Sequence, residues 1–255
     1  MKKLLLKKPS LLFIIILVAC GVLGFLLIPL AIVLPSSLSA GSILSFSIKK
    51  LTLSHYAALL LDAQWRGPLI WSIYAAISVG FLTTIIGFCS AYYAFRAIAK
   101  MRSFLNIIHL IPAFIPPIVV GLSLRQLYGQ YGLIDTLFLL ILCHSLLCLP
   151  IAYMLALWGL SSEGANQERI AMQLGANRWY TLIRVIIPSM RIPLIVSTAL
   201  CGLTSFDESV VVLFISDWRA RTLPRQMFDS LRYDLSPTVA AAAVLTMTAW
   251  TILCI

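Results

Sequence analysis

Long apolar runs alternate with short polar segments along almost the whole chain. Because about 20 apolar residues in a helix cross the hydrocarbon core of a bilayer, each long run predicts one membrane span. We therefore predict an all-α, polytopic membrane protein with six transmembrane helices. The predicted spans are residues 11–35, 68–95, 104–128, 136–160, 192–216 and 236–255.

The segments between these spans define the predicted topology. Residues 1–10 are rich in lysine, which predicts a cytoplasmic N-terminus. The apolar run that follows is too long for the core of a signal peptide, so we predict that it remains as the first span. Residues 36–67 and 217–235 then become external loops, residues 161–191 lie in the cytoplasm, and the C-terminus is also cytoplasmic. Residues 68–255 form the predicted core of the protein.

The cytoplasmic segment 161–191 contains two short helical patterns that meet at Gly175. In the second pattern the apolar residues recur at i, i+3, i+4 and i+7, which makes one apolar helix face. The arginines lie off this face, so the pattern predicts a helix resting on the membrane surface. The apolar face consists of Trp179, Leu182, Ile183 and Ile186, and the arginines are Arg178, Arg184 and Arg191.

Composition supports a membrane protein and argues against a nucleic-acid partner. The chain is 61% hydrophobic and 11% charged, whereas a typical soluble domain carries about 25% charged residues. Its net charge is +10, but the basic residues lie between apolar spans, as the positive-inside rule describes, rather than on one soluble face. The six cysteines fall within apolar runs, so we expect small hydrophobes and neither disulfides nor a metal site.

No motif in the sequence predicts an enzyme or a bound cofactor. No glycine is followed by the Lys-Ser/Thr pair of a phosphate loop, and neither H-E-x-x-H nor G-x-S-x-G occurs. If ATP drives a process in which this chain takes part, the ATPase is therefore expected to be another subunit.

Two features inside the predicted spans require an explanation. Asp207 and Glu208 lie in the fifth span, where an ionisable side chain costs about 2.5–3.5 kcal/mol at the centre of the membrane. Three interpretations are open for this pair. The two side chains pack against neighbouring helices or a partner subunit, they line a path for cationic solutes, or they are hydrated near the external mouth. Pro112, Pro116 and Pro117 interrupt the third span, which is then either a kinked packing helix or a helix that lines a pathway.

The sequence around Gly175 resembles the EAA loop of binding-protein-dependent ABC importer permeases. The string ERIAMQLGA (168–176) is followed by VIIP (185–188) at the family's glycine-to-proline spacing. Arg169 stands where the family motif has a glutamate, and Ile170 replaces an alanine. The resemblance assigns contact with an ATPase to Glu168, Ala171, Leu174, Gly175, Ala176, Val185, Ile187 and Pro188.

The resemblance also implies a fold, partners and a mechanism. The strings SFDESVVVLFIS, RTLPRQMF and SPTVAAAAVL are similar to the second permease subunit of spermidine/putrescine-type importers. A permease of the type I fold would lie in the bacterial inner membrane and pair with a second permease on a cytoplasmic ATPase dimer. An external binding protein would deliver the solute, and Gly175 would form a turn with a positive φ between two helices.

For the solute, the resemblance and the acidic pair favour a polyamine-like or other cationic molecule. The candidate path residues are Asp207, Glu208, Pro116 and Pro117. The alternative is a secondary transporter or channel that acts without an ATPase.

Overall fold

The computed structural model describes residues 9–40, 51–161, 165–216, 219–233 and 236–254. Within these ranges the backbone forms helices joined by turns, with no strand and one isolated bridge between Ser39 and Leu51. The predicted all-α fold is confirmed. Most of the predicted cytoplasmic N-terminus (1–10), parts of the predicted loops 36–67, 161–191 and 217–235, and the last residue of the sixth span lie outside the described residues.

The described helices follow one another with short connections. A 3₁₀ turn spans Ile111–Phe114 and a π turn spans Leu182–Ile186. The helices are α1 (Pro9–Leu38), α2 (Ser54–Leu61), α3 (Ala63–Arg96), α4 (Ala99–Leu110), α5 (Pro117–Gly129), α6 (Leu137–Gly159), α7 (Ala165–Gln173), α8 (Arg178–Thr181), α9 (Ile187–Ser189), α10 (Arg191–Asp207), α11 (Val210–Ile215), α12 (Leu223–Tyr233) and α13 (Thr238–Cys254).

Helices α3, α6 and α10 form the centre of the protein, and small residues let them approach closely. Gly87 on α3 lies against α6, and a Cβ added there would be 2.7 Å from Ala152 Cβ. Gly80, about two turns earlier, lies against α10, and its Cβ would be 2.6 Å from the Thr198 carbonyl oxygen. Because lipid supplies no hydrophobic drive between helices, such close backbone contact is a main source of their association.

Polar side chains form hydrogen bonds across the same central contacts. Thr84 Oγ1 on α3 and Ser197 Oγ on α10 are 2.9 Å apart, and His144 Nδ1 on α6 is 2.8 Å from Ser205 Oγ on α10. In membrane proteins each bond of this kind stabilises by about 0.6 kcal/mol on average. These bonds therefore specify the alignment of the three helices more than they add to their stability.

One bend lies within a predicted span, and a second lies just before another predicted span. The segment Ala99–Phe114 meets α5 at 97°, and Arg178–Ser189 meets α10 at 67°. Pro116 has an extended backbone (φ −56°, ψ 133°) and Pro117 begins α5, because the residue before a proline is disfavoured in a helix. The predicted span 104–128 is therefore two helices. The predicted span 192–216 is also two helices, α10 and α11.

The described part of the chain has fewer straight helices that are suited to cross a membrane than the six spans that the sequence predicts. Leu12–Leu38, Ala63–Arg96 and Leu137–Gly159 are long and apolar enough, and within the described residues the two bent pairs raise the number to five by length and composition. Helix α13 is apolar but shorter. The six-span topology and the boundaries of its segments stay predictions.

Candidate functional site

Gly175 ends α7 in a left-handed turn. Its φ is 89°, and its N–H donates to the Met172 carbonyl at 3.1 Å, while the Ala176 N–H donates to the Ala171 carbonyl at 3.1 Å. These two bonds are the pair that closes a helix when glycine follows its last turn. The predicted positive φ at Gly175 is confirmed.

A new helix, α8, begins three residues after this glycine. The Asn177 side chain accepts a hydrogen bond from the Tyr180 N–H at 2.8 Å and thereby caps α8. The two caps thus fix the angle between α7 and α8 locally. Gly175 is the one glycine in the connection between the two helices.

The turn forms one wall of a shallow cavity between α7 and α8, which we call the α7–α8 cavity. Its volume is about 540 Å³. Five of the eight residues that the sequence assigns to ATPase contact line it together, along with two polar side chains. The lining residues are Ala171, Leu174, Gly175, Ala176, Asn177, Tyr180 and Val185.

Large apolar side chains around this cavity are exposed. Leu174 is 84% exposed and Trp179 is 74% exposed. The predicted apolar face of the second helical pattern is thus divided, since Ile183 is also exposed while Ile186 is fully buried. Covering one such side chain stabilises a complex by about 1.5–3 kcal/mol, so this surface has the properties of a docking site.

The other three residues assigned to ATPase contact lie apart from the cavity. Ile187 lines a separate apolar groove of about 710 Å³ between α3 and α10, and Pro188 is exposed. Glu168 is buried and forms an ion pair with Arg96, the last residue of α3. No pattern in the sequence points to the pairing of Arg96 with Glu168, so this is a contact that sequence reasoning missed.

Glu208 and Asp207 have different environments, although they are adjacent. Glu208 Oε1 accepts hydrogen bonds from the N–H groups of Val210 at 2.8 Å and Val211 at 3.1 Å, so it caps the start of α11. The Asp207 side chain is exposed at the end of α10 and, among the described residues, has neither an ion pair nor a hydrogen bond.

Helix α5, which follows the break at Pro116, packs against α11, which follows the break at Glu208. Gly121 on α5 faces Val211 and Phe214 on α11, and Arg125, one turn further along α5, donates to the Phe214 carbonyl. The two helices therefore pack against each other and run in the same direction. Pro116 and Pro117 thus stand at the start of α5, and Asp207 and Glu208 stand just before the start of α11, which packs on α5.

A second contact that the sequence did not indicate holds the other end of α11. The N–H of Asp135 donates to the Ile215 carbonyl at 2.9 Å, and its carboxylate accepts from the N–H groups of Arg219 and Ala220 at 2.7 and 2.9 Å. Asp135 has a φ of 60°, which aspartate tolerates better than most residues. A carboxylate therefore caps the start of α11, and the backbone of Asp135 holds its end while the Asp135 carboxylate holds the residues that follow.

Solved structures define the class of fold. The chain of a bacterial ABC transporter involved in the import of the acidic polysaccharide alginate superposes with a TM-score of 0.69 at 18% identity, over 97% of this chain and 95% of that one. A bacterial alginate ABC transporter in complex with a periplasmic protein that carries an alginate pentasaccharide gives a TM-score of 0.64 at 13% identity, over 95% and 91% of the two chains. The fold is that of an ABC importer permease.

Sequence relatives agree with this class. PhnV of Salmonella paratyphi A, described as a 2-aminoethylphosphonate transport system permease protein, is 28% identical over 80% of this chain and 77% of its own. The spermidine/putrescine transport system permease protein PotC is 27% identical in Haemophilus influenzae and 23% identical in Escherichia coli K12, over 88% and 89% of this chain and 87% and 86% of the relatives. No family model matches the chain.

These comparisons confirm the predicted resemblance to ABC importer permeases. The relatives are permease subunits, which supports the prediction that the chain is a transport protein and not itself an enzyme.

Proposed function

We propose that this protein is a permease subunit of an ATP-driven ABC importer. It would lie in the bacterial inner membrane with six spans and both termini in the cytoplasm, paired with a second permease. An ATPase dimer would bind the α7–α8 cavity, and an external binding protein would deliver the solute. The observation that carries the proposal is the capped turn at Gly175, bordered by the exposed side chains of Leu174 and Trp179.

The geometry suits transmission of force from one helix to another. Because both sides of Gly175 are capped, a partner that holds the α7–α8 cavity moves α7 and α8 as one piece. Helix α9 then meets α10 at a bend of 67°, measured over Arg178–Ser189 and α10. A shift of the cavity would therefore change the position of α10 in the α3–α6–α10 centre, and packed interfaces in general respond by switching between discrete arrangements rather than by deforming continuously.

The first prediction tests the class of protein by co-purification. A tagged copy of this chain is extracted in mild detergent from cells that also express the candidate partner subunits. It is expected to co-purify with an ATPase and a second permease. The alternative is a secondary transporter or channel, which would import solute in vesicles that contain this chain alone. Uptake by the chain alone, without ATP, would refute the proposal.

The pathway and the solute form the finer part of the proposal. Backbone that is not helical precedes both α5 and α11, which pack on each other, and a membrane protein tolerates such backbone only where protein or a cavity surrounds it. The exposed Asp207 carboxylate lies at the break that precedes α11. Since 2-aminoethylphosphonate, spermidine and putrescine each carry a primary amine, we propose a solute with an ammonium group that passes Asp207.

The second prediction concerns Asp207→Asn. A hydrogen bond to a charged group contributes about 1.5–3 kcal/mol, which corresponds to a change of about tenfold to a hundredfold. We therefore expect at least about tenfold slower uptake of an amine solute by the assembled importer, with the amount of protein in the membrane unchanged. Radiolabelled putrescine, spermidine and 2-aminoethylphosphonate are the solutes to compare.

Glu208→Gln is the matched control for this substitution. Its amide oxygen still accepts hydrogen bonds from Val210 and Val211, so the start of α11 stays capped, while the neighbouring charge is removed. We expect a smaller loss of uptake than for Asp207→Asn. If Asp207→Asn imports every amine at the normal rate, Asp207 does not line the path.

A further inference from the structure

Two residues of α3 and two residues of α7 contact one another where these helices meet. Tyr92 and Arg96 are four residues apart on α3, and Glu168 and Met172 are four residues apart on α7, so each pair lies on one helix face. We call this set of four residues the α3–α7 contact. It joins parts of the chain that are 76 residues apart in sequence.

The contact is held by several interactions with one carboxylate at its centre. The Arg96 guanidinium forms an ion pair with Glu168, and the Tyr92 hydroxyl donates to Glu168 Oε1 at 3.1 Å. The guanidinium carbon also lies 5.0 Å from the centre of the Tyr92 ring, and Arg96 Nη2 is 3.8 Å from Met172 Sδ. The Glu168 and Arg96 side chains are 9% and 29% exposed, so the pair is partly shielded from water and salt.

Both charges also match the ends of their own helices. Arg96 is in the last turn of α3, where the helix dipole favours a cation, and Glu168 is in the first turn of α7, where it favours an anion. Arg169, the next residue, is exposed. The one acidic residue of α7 is therefore directed at α3 within the same chain, and the exposed face of α7 carries a basic residue instead.

We propose that Arg96, Glu168 and Tyr92 are positioning residues that tie the α7–α8 cavity to α3, so that movement of the cavity reaches the centre of the fold by a second route. The first route runs along the chain through α9 into α10. Helix α3 packs on both α6 and α10 through Gly87 and Gly80, so the α3–α7 contact moves α3 together with α10 instead of letting α10 slide alone. This inference rests on the proposed function of the cavity.

The third prediction tests this route in the complete importer, with both permeases, the ATPase and the binding protein reconstituted in vesicles. Uptake and ATP hydrolysis are measured in parallel. For Arg96→Gln and Glu168→Gln we expect solute uptake per ATP hydrolysed to fall at least about fivefold while hydrolysis continues. Tyr92→Phe retains the ring beneath Arg96 and loses one hydrogen bond, so we expect a smaller fall.

The double variant separates a joint role from two independent ones. If the pair acts as a unit, Arg96→Gln with Glu168→Gln is no worse than either single variant. Arg102→Gln is the control, because it removes an exposed positive charge from the neighbouring helix α4 and is expected to leave the ratio unchanged. The yield of assembled complex is measured for each variant, so that a ratio is compared only between complexes that have formed.

The outcomes distinguish this inference from the proposed function. A wild-type complex without ATP-dependent uptake would refute the proposed function itself. A working wild-type complex whose single variants keep the normal ratio would refute only the role of the α3–α7 contact. Additive losses in the double variant would also refute it, since the two side chains would then act separately.

Discussion

Gly175→Asp is expected to abolish uptake while the protein still inserts in the membrane and assembles its helices. An aspartate at a φ of 89° is strained by about 1–2 kcal/mol, which is small compared with the effect of its new charge. No atom lies within 4 Å of a Cβ built at this position. The carboxylate therefore fits within this chain but projects at the α7–α8 cavity, where it would remain unpaired once a partner covers Leu174.

Two other glycine substitutions separate strain from charge in this experiment. Gly132 has a φ of 67° and also has no atom within 4 Å of an added Cβ, but it lies in the turn after α5. Gly132→Asp introduces a similar strain and the same charge away from the cavity, so we expect nearly normal uptake. Gly175→Ala introduces strain alone and is expected to cause a partial loss. Normal uptake by Gly175→Asp, measured in vesicles beside the level of inserted protein, would contradict the proposed docking site.

The turn at Gly175 is predictable from the sequence because everything that forms it is local. A helix end, a glycine and a helix-capping asparagine lie within a few residues, and short-range propensities decide the backbone there. The α7–α8 cavity follows from the same segment. The role of the nearby Glu168 is not predictable in this way, because it depends on the ion pair with Arg96. The two residues are far apart in sequence, and no local pattern indicates that they pair.

The bends show the opposite limit of sequence reasoning. Three prolines predict an interruption of the third span, but not a turn of 97°. That angle depends on where α5 finds a surface to pack against, and Gly121 provides it by letting α11 approach. The break at Glu208 has no proline or glycine beside it. A carboxylate that caps the next helix looks in sequence like a carboxylate that binds a solute, and only their hydrogen bonds separate Glu208 from Asp207.

Gly87→Leu is expected to prevent the protein from folding in the membrane. A Cβ at Gly87 would lie 2.7 Å from Ala152 Cβ and 2.9 Å from both the Ala152 carbonyl carbon and the Tyr153 nitrogen. Two of these atoms are backbone, so the neighbour cannot rotate away and α3 must move off α6. Adding even one methyl group to a well-packed core costs about 1–3 kcal/mol, and a leucine adds three more carbons.

The measurement is the amount of monodisperse protein recovered in mild detergent, with its midpoint of thermal unfolding. We expect almost none for Gly87→Leu and a lowered midpoint for Gly87→Ala. Gly24→Leu is the matched control, since Gly24 also lies in a long apolar helix, α1, but an added Cβ there has no atom within 4 Å. If Gly87→Leu folds as well as Gly24→Leu, the close contact of α3 with α6 does not hold the centre together. The route proposed from the α7–α8 cavity through α3 would then lose its mechanical basis, because α3 transmits movement only as far as it is packed.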